Sequence, residues 1–86
     1  MLMKVYTLFD SKAELYLQPF FAKAKGEAIR SVTTVVNDPN HDMSKYPEDF
    51  TLFEIGSYDD QNGVLTPHVA HESLGCLVEF KRDLTN

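Results

Sequence analysis

The sequence predicts an α+β domain: a small antiparallel sheet of about four strands packed against one main helix, with a short C-terminal helix. Three observations carry the prediction. Met3, Val5, Thr7 and Phe9 alternate along the chain with the period of a strand. Ala28, Ile29, Val32, Val35 and Val36 recur at the spacing of one helix face, with Lys25, Glu27, Arg30, Ser31 and Thr34 opposite. Asn62-Gly63 stands between two apolar stretches and supplies the positive φ that a tight hairpin needs.

Taken in order, residues 3–9 form the first strand and the polar Asp10-Ser11-Lys12-Ala13-Glu14 a turn. Residues 15–22 are extended or a second strand. Pro19 has no N–H to give a ladder, so it demotes part of this stretch to an edge or a bulge. The helix starts near Lys25 behind Ala24, a residue with no capping side chain. Its run Val32-Thr33-Thr34-Val35-Val36 is β-branched and stiff at χ1, so packing rather than propensity has to hold it. Pro39 biases Asp38 away from helical backbone and ends it. Residues 37–47, dense in turn formers, are the longest loop. Residues 50–58 are the next strand, with Leu52-Phe53 and Ile55 implying burial on both faces, as in a central strand. Residues 64–66 return as a strand closed by Pro67. Ser73 then caps a short helix over Leu74, Leu77 and Val78, although Gly75 leaves 73–81 open between helix and strand.

The 86 residues make one compact domain over 1–86. A single cysteine, Cys76, excludes an internal disulfide and fits a reducing cytosol. No apolar run approaches the roughly 18–20 residues of a membrane span, and the start lacks the pattern of a signal peptide. The expected location is therefore a cytoplasm. The formal charge of −5 opposes nucleic-acid binding in total, yet it is unevenly spread. Residues 1–30 carry +2, residues 31–80 carry −8, and Lys81, Arg82 and Asp83 restore +1. Folded into one surface, the N-terminal cations would hold a phosphate backbone; the plainer account is a solvated exterior.

Catalytic and metal signals fail on inspection. His68, His71 and Cys76 have zinc-ligand chemistry, but a closed structural site wants four ligands and the neighbourhood supplies three. Asp60-Gln61-Asn62-Gly63 resembles part of a calcium loop, but the register puts Val69 where a bidentate Glu belongs. There is no Gly-rich phosphate loop, no HExxH and no nucleophile elbow, and nothing orients a Cys76–His71 pair. The expectation is a protein that is not an enzyme and uses no cofactor or metal.

The aromatic residues say more. Tyr16, Phe20 and Phe21 are interleaved with Lys12, Lys23, Lys25 and Arg30, and rings flanked by cations grip single strands without reading sequence. A domain this small also needs large rings in its core, so one of Phe20 and Phe21 is expected inside and Tyr16 outside.

These stretches also carry a family likeness. Asp10-Ser11-Lys12-Ala13-Glu14, Pro19-Phe20, Lys25-Gly26-Glu27-Ala28-Ile29-Arg30 and Asn37-Asp38-Pro39 open it. Tyr46-Pro47-Glu48-Asp49-Phe50-Thr51-Leu52-Phe53-Glu54-Ile55-Gly56, Thr66-Pro67-His68, Ser73-Leu74-Gly75 and Glu79-Phe80-Lys81 complete it. In this order they resemble the small nonstructural protein of gokushoviruses, single-stranded DNA phages of the Microviridae. The resemblance implies a DNA-binding phage replication protein acting in the switch from double-stranded to single-stranded DNA synthesis, in the cytoplasm of a bacterial host. On this reading Lys12, Lys23, Lys25, Arg30, Lys81 and Arg82 contact phosphates and Tyr16 stacks on a base. Pairing of two copies as a homodimer would join basic faces. The alternative is an acidic protein–protein module acting on host or phage replication proteins or on assembly, through the acidic segment 38–79.

Overall fold

The computed structural model describes residues 1–82. Strand β1 (Leu2–Asp10) is the axis of a curled antiparallel sheet, and its Tyr6 and Leu8 lie in the core. Along one edge it meets β4 (Phe50–Asp59), from Leu2↔Asp59 to Asp10↔Phe50. Its other edge is shared by β2 (Leu15–Tyr16), paired at Phe9↔Tyr16, and β3 (Phe20–Ala22), paired at Val5↔Phe21. Between them Pro19 interrupts the ladder, which is why one expected strand becomes two and the sheet has five. β5 (Val64–Cys76) pairs with β4 and closes the other side.

Helix α1 (Lys25–Val36) covers one face of the sheet, burying Ala28, Val32 and Val36 against Tyr6, Leu8, Ala22, Leu52 and Leu77. Ile29 and Val35 stay half-buried at the margins of the expected stripe. No side chain caps the N-terminus at Ala24. The stiff β-branched run is held by burial, while the Thr33 and Thr34 hydroxyls donate back to the carbonyls of Ile29 and Arg30. The long loop contains a turn of helix, α2 (Asp42–Lys45), capped by His41, whose Nδ1 accepts from the Met43 N–H at 3.2 Å. A 3-10 turn (Pro47–Asp49) leads into β4.

Two expectations at the C-terminal end are corrected. Pro67 does not close the returning strand, because its missing N–H costs nothing on an edge strand and β5 runs on to Cys76. Ser73 does not cap a helix: it pairs with Phe53 inside β5. The pairing is available because β4 extends back to Phe50. Only after Gly75, at φ 128°, does the chain turn into a 3-10 segment (Leu77–Phe80). There the Glu79 carboxylate accepts from the Cys76 N–H at 2.7 Å.

Candidate nucleic-acid interface

Because α1 lies on one side only, the strand register decides what the uncovered side displays. Met3, Val5, Thr7 and Phe9 of β1 face that side, joined by Tyr16, Phe21, Thr51, Phe53, Tyr58, Leu65, Pro67 and Ser73 across the ladders. None of these is acidic. The rings touch in two groups. Phe9 and Tyr16 lie 4.8 Å apart between centroids, and Tyr16 meets Phe53 at 6.1 Å and His71 at 5.4 Å. Phe21 and Tyr58 stand 5.5 Å apart. Val5 and Thr7 are buried beneath this layer, and the Thr7 hydroxyl donates to the Leu17 carbonyl at 2.7 Å. Tyr16 and Phe21 each remain 48% exposed. Phe20 points the other way and stacks on Tyr6 in the core at 5.7 Å, so the pair divides between core and surface.

Two irregularities aim these rings. At Val5/Tyr6 the register with β4 slips past Ile55, which returns Tyr58 to the uncovered side. On β5 the pairing jumps from Glu54↔Glu72 to Gly56↔Pro67, so residues 68–71 bulge out opposite Ile55. Val69 at the crest is fully exposed. The bulge is anchored by His68, whose Nε2 lies 2.8 Å from Oε2 of the buried Glu54, and it carries His71 into the ring cluster. Oε1 of Glu54 and the Tyr6 hydroxyl are both buried without a hydrogen-bond partner among the described residues. Burial first, and then the Glu54 carboxylate nearby, push the Tyr6 phenol up to about 12. Sequence reading missed this pair; its one signal was a Glu in the middle of an apolar strand, a place where a carboxylate needs a partner.

The expected cations do not form one surface. Lys12, in the turn after β1, lines a cleft with Asp10, Glu48 and Asp49. Lys25 is ion-paired with Glu72; that hydrogen bond raises the Lys25 pKa and holds the Glu72 carboxyl below its ordinary value. Lys81 donates to the Ser44 carbonyl and hydroxyl. Arg30 and Arg82 line a common groove on the α1 side. Lys23 is exposed two residues past Phe21, so Lys12 and Lys23 stand at the two ends of the β2–β3 edge. The zinc-type residues are also apart in role: His68 holds Glu54, His71 joins the rings, and Cys76 Sγ sits 3.4 Å from the Pro47 carbonyl. Among the described residues no group of three metal-binding side chains forms, and no helix is long and apolar enough to cross a membrane.

Residues 3–80 match the sequence model of a family described as Phage ORF5 protein. No curated protein and no solved structure matches the chain.

Proposed function

We propose that this chain, which belongs to the phage ORF5 protein family, is a non-enzymatic protein that binds single-stranded DNA on the uncovered aromatic face of its sheet. The observation that carries the reading is the placement of the acids. In a protein of formal charge −5, the register positions on that face hold rings, hydroxyls and aliphatic side chains but no carboxylate. Tyr16, Phe53 and Phe21 offer π-faces or edges to unstacked bases, and stacking is worth about 1–3 kcal/mol per base. Lys23 would take a phosphate at one end of the β2–β3 edge, whereas Lys12 at the other end shares a cleft with Asp10, Glu48 and Asp49. A duplex keeps its bases stacked inside and offers mainly phosphates, which this acidic protein is poorly equipped to hold.

The likeness to the small nonstructural protein of gokushoviruses supports a role in genome replication, at the switch from double-stranded to single-stranded DNA synthesis. That role places the protein in the cytoplasm of the bacterial host. A second reading, a module for host or phage replication proteins, draws on the cleft lined by Asp10, Glu48 and Asp49.

Labelled single-stranded and duplex oligonucleotides, titrated at two salt concentrations, test the first reading. Single strands are expected to bind better than duplex. With one phosphate contacted, the log–log salt slope should be shallow, about −0.7. Tyr16→Ala and Phe53→Ala should each weaken binding by about tenfold, the equivalent of ~1.4 kcal/mol of stacking. No binding at low salt with protein at tens of micromolar, roughly the weak end of non-specific affinity, would leave the protein-partner reading.

A further inference from the structure

The α1 side of the molecule carries a second polar feature that the aromatic face does not use. A groove of about 450 Å³ runs along the flank of the helix, lined by Gly26, Ile29, Arg30, Thr33, Asn37 and Arg82, with Thr34 beside them. Among the described residues that line it, the two charged ones are both arginines and none is acidic. Arg82 is not there by chance fraying of a chain end. The Asn37 side chain fastens the C-terminal segment across the end of α1. Its Nδ2 donates to the Thr33 carbonyl at 2.7 Å and the Phe80 carbonyl at 3.1 Å, and its Oδ1 accepts from the Arg82 N–H at 2.7 Å. Lys81 adds a second fastening through Ser44 on α2.

We infer that this groove binds a phosphate group between Arg30 and Arg82. The chemistry is narrow. The Thr33 and Thr34 hydroxyl protons are spent on the Ile29 and Arg30 carbonyls, so the guanidiniums are the side-chain donors left for a ligand. Planar guanidiniums grip tetrahedral oxyanions in bidentate fashion and keep their charge at every accessible pH. Gly26 leaves open space at one end of the groove. The inference goes beyond the stacking reading, because the groove lies on the opposite layer of the fold. A strand lying across the rings would reach it only with a separate segment.

The phosphate could be free anion or a phosphodiester, and one titration separates the two. Amide resonances of Gly26, Thr34 and Asn37 are followed by NMR as inorganic phosphate is added, and then as a single-stranded oligonucleotide is added. Phosphate is expected to move these amides, saturating in the millimolar range, while those of Tyr16 and Phe53 stay still. Arg30→Gln and Arg82→Gln, both surface changes, should each raise the apparent Kd at least tenfold. Asn37→Ala keeps both guanidiniums but unfastens Arg82, and should do the same. If the oligonucleotide moves the same amides and is displaced by phosphate, the ligand is a strand; if phosphate alone moves them, it is the free anion. Amides unmoved by both, or movements indifferent to both arginine changes, overturn the inference. Tyr16→Ala should leave the response to phosphate intact, so failure of the stacking reading and failure of this one give different results.

Discussion

Removing the imidazole of His68 should cost more stability than neutralising its partner. Glu54 is buried inside β4, with its side chain 6% exposed, and among the described residues its side-chain hydrogen bond is to His68 at 2.8 Å. His68→Ala leaves a buried carboxylate with no hydrogen-bond partner among the described residues, since Oε1 already lacks one. Breaking a fully buried pair costs about 3–5 kcal/mol. The His68 side chain is 31% exposed, so water can reach the vacated place and the expected loss is nearer ~2–3 kcal/mol. Glu54→Gln removes the charge and keeps an acceptor for the ring, so about 1 kcal/mol is expected, the net worth of an ordinary hydrogen bond. The decisive comparison is the double change. Glu54→Gln/His68→Ala has no buried charge to strand, so it should be more stable than His68→Ala alone. Urea unfolding of the four proteins, followed by circular dichroism at neutral pH, gives the cycle. A domain of this size has roughly 4–13 kcal/mol in all, so a loss of this order is easily measured. A cost below about 0.5 kcal/mol for His68→Ala, or no rescue by Glu54→Gln, would refute the reasoning, since surface substitutions commonly fall within that range.

Two further outcomes follow from the same core. The Tyr6 phenol, raised from 10.0 to about 12, contributes stability that is fully present below pH 10 and lost as pH rises to 12, about 3 kcal/mol in total. Unfolding curves of wild type and Tyr6→Phe should therefore converge or cross over that interval, and parallel curves would exclude a buried phenol. Gly56→Ala should open the β4–β5 ladder, because a Cβ there would lie 2.6 Å from the Thr66 carbonyl oxygen, which is backbone and cannot swing aside. A loss of at least ~2 kcal/mol is expected, with faster amide exchange around Gly56 and Ser57.

Much of the fold was legible because it rests on local pattern. The alternation of β1, the stripe of α1, the Asn62-Gly63 turn and the interruption at Pro19 are all set by neighbouring residues. The C-terminal end was not. Ser73 has the chemistry of a helix cap, and only the bulge at residues 68–71 brings the chain back onto β4, where it pairs with Phe53. Tertiary hydrogen bonds overrode a local preference there. The partition of Phe20 from Phe21 was expected in kind, but which ring went inside depended on their register with Tyr6 and Val5.

The candidate site is harder to read because a sequence orders charge along the chain, whereas binding depends on which side of the sheet each charge occupies. The N-terminal cations do not pool: Lys25 is taken by Glu72, Lys12 sits among carboxylates, and Arg30 lies on the helix side. What survives is the exclusion of acids from the aromatic face, and that exclusion hangs on a single residue. Counted straight through β4, alternation from Thr51 and Phe53 would put Ile55, Ser57 and Asp59 on the uncovered side. The slip at Ile55 reverses the parity, so Tyr58 joins Phe21 and Asp59 pairs with Leu2 on the other side. A one-residue change of register exchanges the two faces of a strand. The same bulge therefore sets both the ring content and the charge of the surface proposed to meet DNA.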